Sequence, residues 1–233
     1  MTSLKTLVPA YAYPADGETQ WASLRTLGDD SGLVVVNPHN GAGDAVDLKY
    51  QSVVDNLRQN KVQLLGYVNL DFGLRGMTSI LTDIAKYREW YAITGIFFDQ
   101  FPSVYRTRVA SVLSLARRCG VNYVVANCGV VLREKYDEQI EVVCEFEGTY
   151  DAYVARAKEL NHFGASHEIA HLVFNVAPQL QAHVRALATR SGATILAMSP
   201  DGETNPWGTF VLTNGSEDDV ETSPCPSQSS LQT

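Results

Sequence analysis

The sequence predicts a parallel α/β protein closed as a single (β/α)8 barrel of the TIM type, and three observations predict it. Eight short β-rich apolar runs recur along the chain, segments with apolar residues at helical spacing separate most of them, and glycines precede several of the runs. The first two runs are residues 7–13 and 33–37. A helical stripe of Tyr50, Val53, Val54 and Leu57 leads to the third, 62–69, and one of Ile80, Ile84, Tyr87 and Tyr91 leads to the fourth, 95–99. Tyr105, Val109, Val112, Leu113 and Ala116 precede the fifth run, 122–127. The connection 129–140 to the sixth run, 141–147, is short, so one helix is expected to be degenerate there. Tyr150, Tyr153, Ala157 and Leu160 lead to the seventh run, 169–175, and Leu180, Val184, Leu187 and Ala188 to the eighth, 193–199.

Gly32, Gly95, Gly120 and Gly192 are expected to end helices, because a C-terminal turn needs a residue that accepts positive φ. A doubly wound open sheet is the competing topology. It is disfavoured because the turn after the first run, Tyr13-Pro14-Ala15-Asp16-Gly17, has no G-x-G-x-x-G phosphate loop.

With 233 residues, 45% of them hydrophobic, the chain suits one large core, assigned to residues 1–212. Residues 213–233 are acidic and polar, a composition that buries too little apolar area to offset chain entropy, and are expected to form a disordered tail. A net charge of -8 argues against a nucleic acid partner. No stretch reaches about 18 uninterrupted apolar residues, so no membrane span is expected, and the start of the chain does not read as a signal peptide. Cys119, Cys128, Cys144 and Cys225 form no C-x-x-C pair and read as free thiols, Trp21 and Trp90 read as core residues on helix stripes, and no cofactor is implied.

In a parallel barrel the C-terminal strand ends form the mouth, so polar residues ending apolar runs are the first candidates for chemistry. The fourth run ends in Asp99. The sixth carries Glu145 and Glu147 at alternate positions, which a regular strand places on one face, with Glu147 nearer the mouth and Glu145 deeper, or facing outward where a bulge intervenes. Two carboxylates across a barrel mouth suit glycoside hydrolysis, with Asp99 and Glu147 as the catalytic pair. Tyr11, Asn37, His39, Tyr67, Asp71, Gln100, Asn127, His171, Asp201 and Trp207 are the candidate substrate-binding residues, supplying amides, imidazoles and aromatic planes to a sugar, with Trp207 as a stacking platform. The competing chemistry is a zinc site at His167-Glu168-Ile169-Ala170-His171. That motif needs a helix, whereas this run reads as a strand, which would spread the histidines roughly 13 Å apart, so no metal site is assigned.

These strand ends carry a family resemblance. Val8-Pro9-Ala10-Tyr11, Val36-Asn37-Pro38-His39-Asn40-Gly41, Gly66-Tyr67-Val68, Gly95-Ile96-Phe97-Phe98-Asp99 and Phe146-Glu147-Gly148 fall in order, and the chain resembles the spherulin-4 family, also called glycoside hydrolase family 135. The resemblance implies a metal-independent barrel that cleaves α-1,4-linked N-acetylgalactosamine or galactosamine polysaccharide, of the galactosaminogalactan kind, by a retaining mechanism. Asp99 would be the nucleophile and Glu147 the general acid/base, and action would be extracellular or virion-associated. Two positions depart from the family pattern: Gln100 stands where Glu is usual, and Asn127-Cys128-Gly129 where Asn-Pro-Gly is usual. Gln100 keeps open a non-catalytic carbohydrate-binding barrel, such as a virion tail or surface adhesion module, and a hydrolase of a different polysaccharide is a further alternative. Asp44, Asp71 and Asp201 near the mouth hint at tolerance for a cationic, deacetylated polymer.

Overall fold

The computed structural model describes residues 4–15, 18–28, 32–103, 107–131, 138–160 and 167–212. Eight strands, β1 (Lys5–Ala10), β2 (Gly32–Val36), β3 (Gln63–Asn69), β4 (Gly95–Asp99), β5 (Tyr123–Asn127), β6 (Val142–Thr149), β7 (Glu168–Phe174) and β8 (Ile195–Met198), pair in sequence order and in parallel, and β8 returns to β1. Among the described residues six α-helices lie outside them: α1 (Glu18–Ser23), α2 (Leu48–Gln59), α3 (Met77–Tyr91), α4 (Thr107–Arg118), α5 (Tyr150–Arg156) and α6 (Gln181–Arg190). The expected (β/α)8 barrel is therefore the fold. Among the described residues no helix stands between β5 and β6, and residues 132–137, where the degenerate helix was expected, lie outside them, as do Tyr105 and the tail from 213 onward. No described helix is long and apolar enough to cross a membrane.

Strand alternation divides the apolar residues into two layers. Leu7, Val35, Leu65, Phe97, Val125 and Leu172 fill the barrel, while Val8, Val34, Val36, Ile96, Phe98 and Val124 face the helices. The helices answer with the predicted stripes. α2 begins at Asp47, whose carboxylate accepts from the Lys49 and Tyr50 amides, and it buries Tyr50, Val54 and Leu57. α3 buries Ile80, Ile84, Tyr87 and Tyr91, and the Tyr87 hydroxyl donates to the Val36 carbonyl at 3.0 Å, satisfying its one polar atom inside the apolar layer. Full burial of such a side chain contributes about 1.5–3 kcal/mol. Trp21 is buried, and Trp90 is half-buried against the same core.

Two expectations are corrected. Gly120 and Gly192 do adopt positive φ beyond helix ends, but Gly32 and Gly95 are strand residues with ordinary φ. At Gly95 a Cβ would come within 2.6 Å of the Leu64 carbonyl oxygen, so the constraint is close strand packing, and the left-handed residue that ends α3 is Ala92. The first strand also stops earlier than its apolar run. It ends at Ala10, which releases Tyr11 to the mouth.

Candidate active site

Parity along three consecutive strands builds the site. Phe97 and Val125 point into the barrel, so Asp99 and Asn127, two residues further on, point inward as well, at the level where β4 and β5 end. On β6 a bulge intervenes: the register with β7 steps from Cys144↔Ala170 to Phe146↔His171. The inserted residue is Glu145. The alternation that would have put Glu145 and Glu147 on one face is thereby broken, and Cys144 and Glu147 are the inward pair while Phe146 packs outward against Tyr153. Glu145 stays fully buried in the bulge. Burial first, and the Glu145 charge second, push the nearby Cys128 thiol up to about 12.

The Asn127 amide ties the two carboxylates together. Its Nδ2 donates to Asp99 Oδ1 at 2.8 Å and to Glu147 Oε2 at 2.6 Å. The second Asp99 oxygen accepts from the Tyr67 hydroxyl at 2.7 Å, and the second Glu147 oxygen from the Trp207 indole at 3.1 Å. All four carboxylate oxygens are thus held by fixed donors from β3, β5 and the segment after β8. Burial raises the Glu147 carboxyl, with the Asp99 charge adding to it and the Asn127 and Trp207 donors opposing it. Tyr11 meets Tyr67 edge-on at 5.9 Å, and burial, helped by Asp99, raises both phenols, which keeps them neutral donors beside the carboxylates.

Other predicted residues are placed differently. His171 does not reach the mouth. It is fully buried on the helix-facing side of β7, its Nδ1 2.7 Å from the Tyr153 hydroxyl on α5, because β7 continues to Phe174 and His171 is a mid-strand position of outward parity. His167 lies just ahead of β7 with its Nδ1 on the Ile140 carbonyl at 2.8 Å, so the zinc motif is on a strand, as its sequence predicted. Trp207 is buried and edge-on to Phe174, a hydrogen-bond donor to Glu147 and not an open platform. Asn37 accepts from the Gly41 amide at 2.9 Å and shapes the loop after β2, and Asp201 accepts from the Thr209 amide at 2.5 Å and shapes the one after β8. His39 is exposed in a groove of about 870 Å3 between the β2–α2 loop and α3, beside the Arg75–Asp83 ion pair of 2.6 Å, and Asp44 stands 3.9 Å from Lys86 on its wall. Asp71 and Gln100 sit on the rim above Asp99, both with left-handed backbone.

Backbone strain is concentrated at this end of the barrel. Of the non-glycine residues with positive φ, Asn40, Asp71, Phe72, Gln100 and Asn175 all follow strand ends at the mouth, each at a cost of about 1–2 kcal/mol. Phe72 was absent from the sequence-derived candidates, because an apolar residue in a loop carries no polar signal.

The family model described as spherulation-specific family 4 matches residues 5–214. The chain belongs to this family. Spherulin-4 of Physarum polycephalum is 30% identical over 99 residues, 42% of this chain, a match that spans 30% of that relative's length. The crystal structure of Aspergillus clavatus Sph3 in complex with GalNAc has a TM-score of 0.75 and 25% identity, covering 90% of this chain and 93% of that one. The glycoside hydrolase domain of PelA from Pseudomonas aeruginosa, solved as a variant, shares the fold at a TM-score of 0.54 and 15% identity over 91% of this chain and 98% of that domain. The spherulation-specific family 4 barrel described here thus shares its fold with a barrel solved with GalNAc and with a glycoside hydrolase domain.

Proposed function

We propose that this protein is a retaining, endo-acting glycosidase of α-1,4-linked N-acetylgalactosamine and galactosamine polysaccharide, with Asp99 as nucleophile and Glu147 as general acid/base. The observation that carries the proposal is the shared Asn127 amide. Two carboxylate oxygens bonded to one nitrogen can be no further apart than the two bonds laid end to end, about 5.4 Å, a close approach that favours the near carboxyl pair of retaining enzymes over the wider pair of inverting ones. The substrate class rests on family membership and on the likeness to a barrel that binds GalNAc.

The residues divide the chemistry by environment. Glu147, raised by burial, gives its proton to the glycosidic oxygen as Asp99 attacks the anomeric carbon. The C–O bond breaks and a glycosyl ester forms on Asp99. Glu147, now ionised, then takes a proton from water, the hydroxide oxygen attacks the same carbon, and Asp99 leaves as carboxylate. Asn127 and Tyr67 hold Asp99 in line, and Trp207 holds Glu147. Gln100 supplies none of the hydrogen bonds on either carboxylate, so the pair is complete with an amide at that position. That weighs against the binding-only reading that Gln100 had motivated.

The test is incubation with partially deacetylated galactosaminogalactan in buffer containing EDTA, scoring released oligosaccharides by mass spectrometry and the anomer formed by NMR. Wild type is expected to release α-anomeric products first, and Asp99→Asn and Glu147→Gln to release at least about a hundredfold less while remaining folded. Loss of activity to EDTA, inverted product, or full activity in either variant would each refute the mechanism.

A further inference from the structure

The loop between β3 and α3 holds an exposed aromatic ring in a conformation few residues adopt. Asp71, Phe72 and Gly73 have φ of 49°, 49° and 88°, and Phe72 is 61% exposed. The loop is nonetheless fixed. The Phe72 amide donates to the Gln100 carbonyl at 3.0 Å, the Asp71 amide to Asn69 Oδ1 at 2.5 Å, and the Leu70 amide to the Asp99 carbonyl at 2.9 Å. The ring is therefore carried on backbone stitched directly to Asp99 and its neighbour. Strained residues persist where surrounding contacts over-determine them, and they collect at ligand clamps.

We infer that Phe72 is a substrate-positioning residue, a platform on which one pyranose ring of the polymer stacks at the rim beside Asp99; the inference rests on the glycosidase reading above. A pyranose presents an apolar C–H face, which an aromatic plane covers, and hydroxyl edges, which need polar walls. The rim offers both. Beyond the loop runs the polar groove that Arg75, Ser79 and Asp83 help to line, and Arg75 is tied back to the Asn69 carbonyl at 3.0 Å. The expected platform, Trp207, is buried and committed to Glu147, so a ring face at the rim comes from Phe72. A protein partner fits less well. The apolar patch comprises Phe72 and Leu74 between Asp71 and Arg75, far short of the roughly 1,000 Å2 that a stable protein interface needs.

Three full-length variants test the platform: Phe72→Ala, Phe72→Tyr and Phe72→Gly. On partially deacetylated galactosaminogalactan, Phe72→Ala is expected to lower kcat/KM about 3- to 10-fold, mainly through KM, and Phe72→Tyr to restore it. Phe72→Gly removes ring and strain together. It is expected to melt no lower than wild type while losing as much kcat/KM as Phe72→Ala, an outcome that general damage to the fold cannot produce. Unchanged kinetics in Phe72→Ala with an active wild type would overturn the platform and leave the glycosidase reading standing. If wild type hydrolyses nothing, the glycosidase reading fails, and retardation of wild type against Phe72→Ala in a gel containing the same polymer decides the platform separately. Retardation lost with the ring supports it, and equal or absent retardation overturns it.

Discussion

Adjacent registers of β6 and β7 hold two polar clusters that face opposite sides of the sheet, one half-buried at the mouth and one fully buried under a helix. Phe146 pairs with His171 and Glu147 with Leu172. One residue of register therefore separates Glu147, which joins Asp99 and Asn127 at the mouth, from His171, which joins Tyr153 between the sheet and α5. Both contain ionisable groups with short hydrogen bonds. What distinguishes a site from a structural pair here is strand parity, because the inward face ends at an open mouth and the outward face ends under a helix.

The sharpest way to break this comparison is to make both clusters non-ionisable and compare what is lost. Glu147→Gln is expected to lower kcat about 10²–10⁴-fold, the loss typical of a removed acid/base. Its effect on stability has the opposite sign. Burial raises the folded-state value of Glu147, so the residue favours the fold when protonated and loses that contribution as pH rises through the raised value. Glutamine does not ionise. Urea titrations should therefore find the variant gaining on wild type as pH climbs from the ordinary glutamate range, then levelling off. A variant less stable than wild type at neutral pH would mean that Glu147 is ionised and well paired in the resting enzyme.

The outward cluster should behave in reverse. His171→Ala leaves a cavity in the sheet–helix layer and strips the buried Tyr153 hydroxyl of its partner, at a cost of about 2–4 kcal/mol of unfolding free energy. KM and kcat should hold at temperatures where the variant is folded. A selective rise in KM with unchanged stability would return His171 to the binding residues that its sequence position had suggested.

The same contrast explains what could be read from the chain. Asp99 was legible because β4 is regular: Phe97 and Asp99 alternate without interruption, so an inward core residue leads to an inward carboxylate. The eight strands and the helical stripes were legible for the same reason, being periodic. Glu145 and Glu147 were only half legible. Their spacing says one face, and the bulge that separates them is a pairing property of two strands, invisible in either alone. His171 was misplaced because it was chosen for its polar ring within the apolar run 169–175, where it stands mid-strand with outward parity and faces α5. Phe72 went unnoticed because its interest lies in φ and exposure; a Phe-Gly pair immediately after a strand end was the available clue.

The finest comparison is within the rim itself, between Gln100 and the glutamate its relatives are expected to carry. Gln100 follows Asp99 with left-handed backbone and offers its carbonyl to Phe72, while the carboxylate pair draws its donors from Tyr67, Asn127 and Trp207. The amide is therefore outside the hydrogen bonding of the pair, and Gln100→Glu should leave kcat at the optimum within about threefold. It does add a negative charge one residue from Asp99. A like charge near Glu147 favours its protonated form, the form that acts as acid, so the alkaline limb of the kcat profile should move upward. An unmoved limb would place position 100 beyond electrostatic reach of Glu147. A large rise in kcat at every pH would instead give the glutamate a hand in proton transfer, and the two-carboxylate mechanism would need a third member.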